Sequence, residues 1–415
     1  MNKKKKNPSV PKLRFPKFRE SGGWATPTLY SISEPINERV GTRRLTPVSI
    51  SAGIGFVPQA EKFGRDISGK QYRLYTVVRD GDFVYNKGNS IKFPQGCVYD
   101  LQGWGEVAVP NVFICFRLRS GHVNGFFRYC FEKNIHGMQI KTHITSGARS
   151  NGLLNISKDV FYGIKIPTPE CAEQQKIADC LSSLDDLITS HAQKVELLKR
   201  HKKGLMQQLF PTEGETVPKL RFPEFRDRGE WSIYFGNELF YQIANKNHNS
   251  DIPILAITQE HGAIPRNMID YHVSVTDKSI ETYKVVEIAD FIISLRSFQG
   301  GIEYSNHYGI CSPAYVVLRL KSQNIPLYFK HLFKTDRFIS QLNKNIEGLR
   351  DGKMISYKQF SELLLSVPSP SEQQKIANCL SSLDDLITSH AQKVGLLKRH
   401  KKGLMQQLFP VLDES

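Results

Sequence analysis

Some residue groups have spacing that could do chemistry. Gly64-Arg-Asp-Ile-Ser-Gly69-Lys70-Gln71 is one residue short of the G-x-x-x-x-G-K-[ST] loop that cradles phosphates. Gln71 stands where a Mg²⁺-binding hydroxyl is required and no apolar strand precedes the run, so a polar loop is expected. Gly53-Ile54-Gly55 lacks the third glycine of a dinucleotide fingerprint. The 12 histidines form no H-E-x-x-H or H-x₃₋₅-H pattern; His136 and His143 share a helix face at best, and no cysteine or acid completes a metal set around them. Cys97, Cys115, Cys130, Cys171, Cys180, Cys311 and Cys379 are odd in number and contain no C-x-x-C, which predicts reduced, mostly structural thiols and no metal site.

What remains is the chemistry of binding. The chain has 56 Lys and Arg against 40 Asp and Glu, a net charge of +16, and this points to a polyanionic partner, with nucleic acid first. Arg and Lys read guanine edges, Asn and Gln read adenine, and all of them hold phosphates. The candidates are Gln59, Arg65, Lys70, Arg73, Lys87, Asn89 and Lys92 in the first half, and Gln259, His261, Arg266, Asn267, Arg296, Gln299 and Asn306 in the second. Lys87 and Arg296 follow equivalent Asp-Phe pairs, 82–83 and 290–291, and are expected on comparable loops. Asp82 and Asp290 themselves are expected to shape strand ends.

The elements that would position these residues come in duplicate. Residues 173–211 recur at 372–410 with changes at two of 39 positions, Asp179 against Asn378 and Glu196 against Gly395. Upstream of each copy, Val10-Pro-Lys-Leu-Arg-Phe-Pro-Lys-Phe-Arg-Glu20 matches Val217-Pro-Lys-Leu-Arg-Phe-Pro-Glu-Phe-Arg-Asp227, and Trp24 matches Trp231. The regions between diverge but keep a skeleton of short β-branched and aromatic runs: 75–84 parallels 283–292, and 112–118 parallels 315–320. The expected order is a basic tail with an opening motif (1–23), an α/β domain (24–167), a helix (168–211), a linker with the repeated motif (212–230), a second α/β domain (231–367), a second helix (368–410) and a short tail (411–415). A 415-residue chain with 40% hydrophobic and 23% charged residues has the composition of folded globular domains. No apolar run reaches the roughly 18 residues of a membrane span, which predicts a cytoplasmic protein.

Within the repeat, Ile177, Leu181, Leu184, Ile188, His191, Val195, Leu198, Lys202, Leu205 and Leu209 keep a 4-3 spacing, the seam of a coiled coil. Ile376, Leu380, Leu383, Ile387, His390, Val394, Leu397, Lys401, Leu404 and Leu408 repeat it. Ser369-Pro370-Ser371-Glu372 reads as an N-cap, a first-turn proline and a capping-box acid. A continuous helix over 173–209 would be about 55 Å long and would need a partner, for which its own copy is available. Polar seam residues either fix register or expose their heads at the seam edge, and Gly204 and Gly403 either continue the helices or end them. The sequence leaves both choices open.

Two variable domains, each followed by a repeated helix opening with E-Q-Q-K-I-A and closing near Q-Q-L-F-P, resemble the specificity subunit of a type I restriction-modification enzyme over essentially the whole chain. The resemblance implies an α+β protein: two mixed α/β target recognition domains on two long repeated helices packed as an antiparallel coiled coil, with pseudo-twofold internal duplication. It implies that each domain reads one half of a bipartite double-stranded DNA site and that the helices act as a spacer. The helices would also dock two modification (methyltransferase) subunits, which use S-adenosylmethionine to methylate adenine N6. Two restriction (motor-nuclease) subunits using ATP and Mg would then join. The chain itself would hold no cofactor and catalyse nothing, and it contains no aromatic-flanked N-P-P-[YF] or D-P-P-[YF] tetrad. Two alternatives are a non-modifying architectural DNA-binding protein with two reading heads, and a nucleic-acid enzyme whose active site lacks a local motif.

Overall fold

The computed structural model describes residues 10–88, 92–144, 154–248, 251–269, 280–321, 323–344 and 355–410; the basic tail at 2–6 and residues 411–415 lie outside them. The chain packs as two compact units, residues 1–191 with 393–415, and residues 192–392. Each long helix is therefore shared between the units. Its N-terminal part belongs with the domain that precedes it, and its C-terminal part is built into the other unit.

The first unit has two four-stranded sheets. One orders Ser33–Pro35, Ile114–Leu118, Phe83–Asn86 and Cys97–Asp100, all antiparallel. The other orders Gly55–Pro58, Thr46–Ser51, Glu106–Val109 and Thr76–Arg79, with one parallel pairing, of Thr46–Ser51 with Glu106–Val109. The second unit repeats the first sheet as Phe240–Ile243, Val316–Leu320, Phe291–Ile293 and Glu303–Tyr304. In place of the second sheet it has two hairpin-sized ladders, Leu255–Thr258 with Gly262–Pro265 and Lys284–Val286 with Gly309–Cys311. Asp82 and Asp290 brace the ends of matching strands. Each is buried, accepts from the backbone N–H three residues before it (Arg79 and Glu287), and forms a two-pronged pair with an arginine of the neighbouring strand, Arg117 or Arg319, at 2.6–2.9 Å.

Aromatic packing fills both cores. In the first unit Trp24, Phe83, Phe116, Phe126, Phe127 and Phe161 close over Ile177, Ala178 and Leu181 from the start of one long helix, and over Met405, Leu408 and Phe409 from the end of the other. In the second, Trp231, Phe240, Phe291, Tyr328, Phe329 and Phe333 close over Ile376, Ala377 and Leu380, and over Leu209 and Phe210. Fully burying a side chain of this size contributes about 1.5–3 kcal/mol, so the helix ends are integral to each core. Start of one helix against end of the other makes the pairing antiparallel inside each unit.

The helices run Cys171–Leu209 and Pro370–Leu408, each 39 residues and about 58 Å at 1.5 Å per residue. Gly204 and Gly403 lie within them, so the helices continue through both glycines. Burial follows the 4-3 seam: Ile177, Leu181, Val195, Leu198, Ile376 and Leu380 are buried, Leu184, Ile188, Leu383, Ile387, Val394 and Leu397 are half-buried, and Leu187, Leu197, Leu386 and Leu396 face outward. The seam lysines meet the facing helix. Lys401 Nζ, almost wholly buried, bonds Asp185 at 2.8 Å and Glu132 at 2.8 Å, and Lys202 Nζ bonds Asp384 at 2.6 Å. These charges pair across the helices, which favours the register-fixing reading. Among the described residues no helix is long and apolar enough to cross a membrane.

The two repeated motifs prove to be halves of one clamp. Arg14 of the first opening motif grips Glu173 of E-Q-Q-K-I-A through Nε and Nη2 at 2.7 and 2.6 Å, and Arg221 grips Glu372 at 2.7 and 2.8 Å. The next residue, Gln174 or Gln373, bonds Pro169 O or Pro368 O and accepts from the Val123 or Ile325 N–H at the start of a domain helix. The motif backbone joins the end of the other long helix, Leu13 N–H to Gln407 O and Leu220 N–H to Gln208 O, at 3.0 and 2.9 Å. The capping-box expectation is corrected here. Ser369 Oγ accepts from Glu372 N–H, but the Glu372 carboxylate turns away from the helix terminus to Arg221 and the Trp231 indole.

Candidate nucleic-acid interface

In the first unit, the strands Thr46–Ser51 and Gly55–Pro58 form a hairpin whose three-residue tip is Ala52-Gly53-Ile54. Gly53 and Gly55 have φ of +84° and +99°, the region a side chain disfavours, so the glycine pair marks this turn and no dinucleotide loop. The Gly53 N–H donates to Tyr99 Oη at 2.7 Å, and the Tyr99 ring lies under Gly55. A Cβ on Gly53 would lie 3.4 Å from the Phe93 ring and 4.0 Å from Lys92 Nζ. Lys92 is therefore held beside the tip, as the sequence suggested only by its charge. Nearby on the hairpin, Lys62 Nζ bonds Ser49 Oγ at 3.1 Å, and partial burial lowers its pKa.

Arg65, Lys70 and Arg73 are exposed on the segment after the hairpin, and none forms an ion pair among the described residues. The near-phosphate loop to which two of them belong follows the short helix Gln59–Phe63, with Gly64 in the left-handed conformation, and no strand leads into it. Gln59 is a correction: it is buried, its amide donates at 3.4 Å to Val48 O and Tyr75 Oη, and it supports the hairpin from inside. Lys87 is half-buried, its carbonyl accepting from Leu154 N–H. Asn86 beside it crosses to the hairpin, donating to Ile50 O at 2.9 Å. Asn89 lies outside the described residues.

In the second unit the equivalent hairpin, Leu255–Thr258 with Gly262–Pro265, carries the tip Gln259-Glu260-His261. Thr258 Oγ1 closes the turn, accepting from His261 N–H at 3.0 Å and donating to Gly262 O at 3.1 Å. The Gln259 amide donates to Arg296 O at 3.2 Å and packs on Gly300, so Gln259, His261, Arg296 and Gln299, scattered in sequence, gather on one surface. Ser305 bridges to Ala263 in the hairpin, and Asn306 follows it in the chain, exposed. Arg266 is half-buried where the hairpin leaves, its N–H bonded to Ile254 O, and Asn267 is exposed beside it. Burial raises the Tyr315 pKa, and Arg266 and Arg296 both lie close enough to offset part of that rise. Arg296 is exposed whereas Lys87 is half-buried, so the two loops are not alike in presenting a cation.

Sequence reasoning missed the exposed apolar residues at these sites. Ile54 is 76% exposed at the first tip and Met268 is 65% exposed beside the second hairpin. Only the flanking glycines, unusual around a lone isoleucine, gave a signal for the first. Among the described residues no His, Cys, Asp and Glu cluster could hold a metal. His136 lies buried against the Tyr85 and Phe131 rings while His143 is exposed, so the two do not share a face. What the two hairpin surfaces share is cations and amides on a rigid base, with an apolar tip on the first and a polar one on the second, which suits contact with a nucleic-acid groove.

The family described as type I restriction modification DNA specificity domain matches residues 78–200 and 233–399, most of the chain. The type I restriction enzyme MjaX specificity subunit of Methanocaldococcus jannaschii is 27% identical over 361 residues, 83% of this chain and 81% of that protein. The MjaVIII specificity subunit of the same organism is 24% identical over 289 residues, covering 65% and 67%. Among solved structures, the S subunit of a type I restriction-modification system from M. genitalium shares the fold with a TM-score of 0.61 at 14% identity, over 97% of this chain and 100% of that one. A chain from a structure describing complex assembly and conformational transition of the type I R-M system gives 0.50 at 16% identity, over 94% and 98%. With two divergent domains mounted on one repeated clamp and helix, this chain belongs to the type I restriction-modification specificity family, as its non-catalytic, DNA-recognising subunit.

Proposed function

We propose that each unit reads one half of a bipartite, non-palindromic DNA site, and that the helices dock two modification subunits which methylate adenine N6 within it. The observation that carries this reading is the contrast inside the duplication. The Arg–Glu clamp, the glutamine contacts and the seam are repeated residue for residue, while the hairpin tips differ completely. A common mounting with different reading surfaces is what a site with unlike halves requires. S-adenosylmethionine would be held by the modification subunits, and ATP with Mg by two restriction subunits. The exposed Arg65, Lys70, Arg73, Lys92, Arg296 and the amides beside them would hold phosphates and base edges.

Single-molecule methylation sequencing tests it, using DNA from cells that express the chain with its cognate modification subunit. Exchanging residues 231–367 for the corresponding domain of a relative should alter one half of the methylated motif and leave the other intact. No new methylation from a folded, assembled complex would favour an architectural DNA-binding role instead.

A further inference from the structure

The two hairpins superimpose residue by residue in their pairing. Ser51 pairs Gly55 as Thr258 pairs Gly262, and Val48 pairs Pro58 as Leu255 pairs Pro265. Each therefore projects three residues between equivalent strand ends, Ala52-Gly53-Ile54 in one unit and Gln259-Glu260-His261 in the other. The frame is common and the tip chemistry is opposite. The first tip is apolar, held rigid by the Tyr99 hydroxyl and two aromatic rings, with Lys92 alongside; its isoleucine is more exposed than any other large apolar side chain among the described residues. The second tip offers an amide, a carboxylate and an imidazole.

We propose that the hairpin tip is the specificity-determining element of each unit, and that Ile54 reads a thymine by packing on its 5-methyl group while the second tip reads by hydrogen bonds. This rests on the proposed DNA-reading function and adds to it the chemistry of each half. In the major groove the thymine 5-methyl group is the apolar base feature on which an aliphatic tip packs. Rigidity matters because a side chain already fixed in place loses little freedom on contact. An adjacent lysine suits a phosphate backbone, whereas a protein partner for an apolar tip would not call for a cation whose Nζ lies 4.0 Å from where a Gly53 Cβ would sit.

The test uses the assembled complex of this chain with its modification subunits, on a duplex carrying the site found by methylation sequencing. Each thymine of the half-site assigned to the first unit is replaced singly by deoxyuridine. One thymine should prove sensitive, with affinity falling about fourfold, the worth of one buried methyl. Ile54→Ala should weaken binding to the thymine duplex roughly tenfold, and should abolish the further loss from deoxyuridine at that position, a non-additive pair. Gln259→Ala should act on the other half-site and ignore thymine methyls. Wild-type complex without sequence preference would sink the DNA-reading function itself. A selective complex indifferent both to Ile54→Ala and to every thymine methyl would overturn this inference alone, as would loss of the modification subunits from the Ile54→Ala complex in mass photometry, which would make the tip a subunit contact.

Discussion

Glu372→Ala should destabilise the second unit severely. Glu372 and Arg221 have side chains 2% and 8% exposed, joined through two hydrogen bonds, so deleting the carboxylate leaves a buried guanidinium whose remaining bond is to Gly229 O. Breaking a buried pair from one side costs about 3–5 kcal/mol. The Trp231 indole N–H, which bonds Glu372 at 3.3 Å, also loses its acceptor, for roughly 1 kcal/mol more. The first unit supplies a control, since among the described residues Trp24 Nε1 has no partner, and Glu173→Ala should therefore cost about 1 kcal/mol less than Glu372→Ala. With Trp24 and Trp104 replaced by phenylalanine, Trp231 fluorescence follows the second unit alone. At an m-value near 2 kcal/mol/M, Glu372→Ala should lower the urea midpoint by about 2–3 M. Arg221→Met with Glu372→Met should recover most of that, because an apolar pair leaves no orphaned charge. A midpoint unchanged by Glu372→Ala, or a double variant less stable than the single, would refute the clamp as described.

Burial holds the His136 imidazole at a pKa of about 4, below its unfolded value of about 6.5. The unfolded state binds the proton first, so the stabilisation is present above pH 6.5 and fades towards pH 4, by about 3 kcal/mol in all; a plot of Tm against pH should flatten over that window in His136→Phe. Lys401→Met should cost about 1–2 kcal/mol in thermal unfolding, since its partners Asp185 and Glu132 are partly solvated, and a loss beyond 4 kcal/mol would mean the helices depend on this pair more than its geometry suggests. Gln59→Ala should weaken the first unit by about 1 kcal/mol while leaving DNA affinity unchanged, as filter binding can show. Replacing Arg65, Lys70 or Arg73 by alanine should lower the log–log salt slope of DNA binding by about 1 for each phosphate contact removed.

Features written into the sequence as repetition or period were legible there. The duplicated helices, their 4-3 seam and the paired strands after Asp82 and Asp290 all depend on local pattern, and the structure places them accordingly. Glu372 was misread because a capping rule sees three residues, whereas its true partner lies 151 residues away. Leu209 belongs to the heptad count yet ends in a domain core, since the seam runs into the second unit before it stops. Gln59 has the residue type of an adenine reader, but side-chain type does not reveal burial, and its place at the start of the short helix Gln59–Phe63 turns it inward against Val48 and Tyr75. The gathering of Gln259, Arg296 and Gln299 comes from a long-range hydrogen bond that periodicity cannot encode.

The sharing of helices also sets an order of events during synthesis. The second unit is one unbroken stretch, Ala192–Gln392, and is complete once those residues have left the ribosome. The first unit is not, because Met405, Leu408 and Phe409 close its core over Trp24 and Phe126. At 5–20 residues per second, the 201 intervening residues keep that aromatic face open for roughly 10–40 s. The half of the protein made first is thus the half finished last, and a chain stopped short of Met405 would carry a finished second unit beside a first one left uncapped.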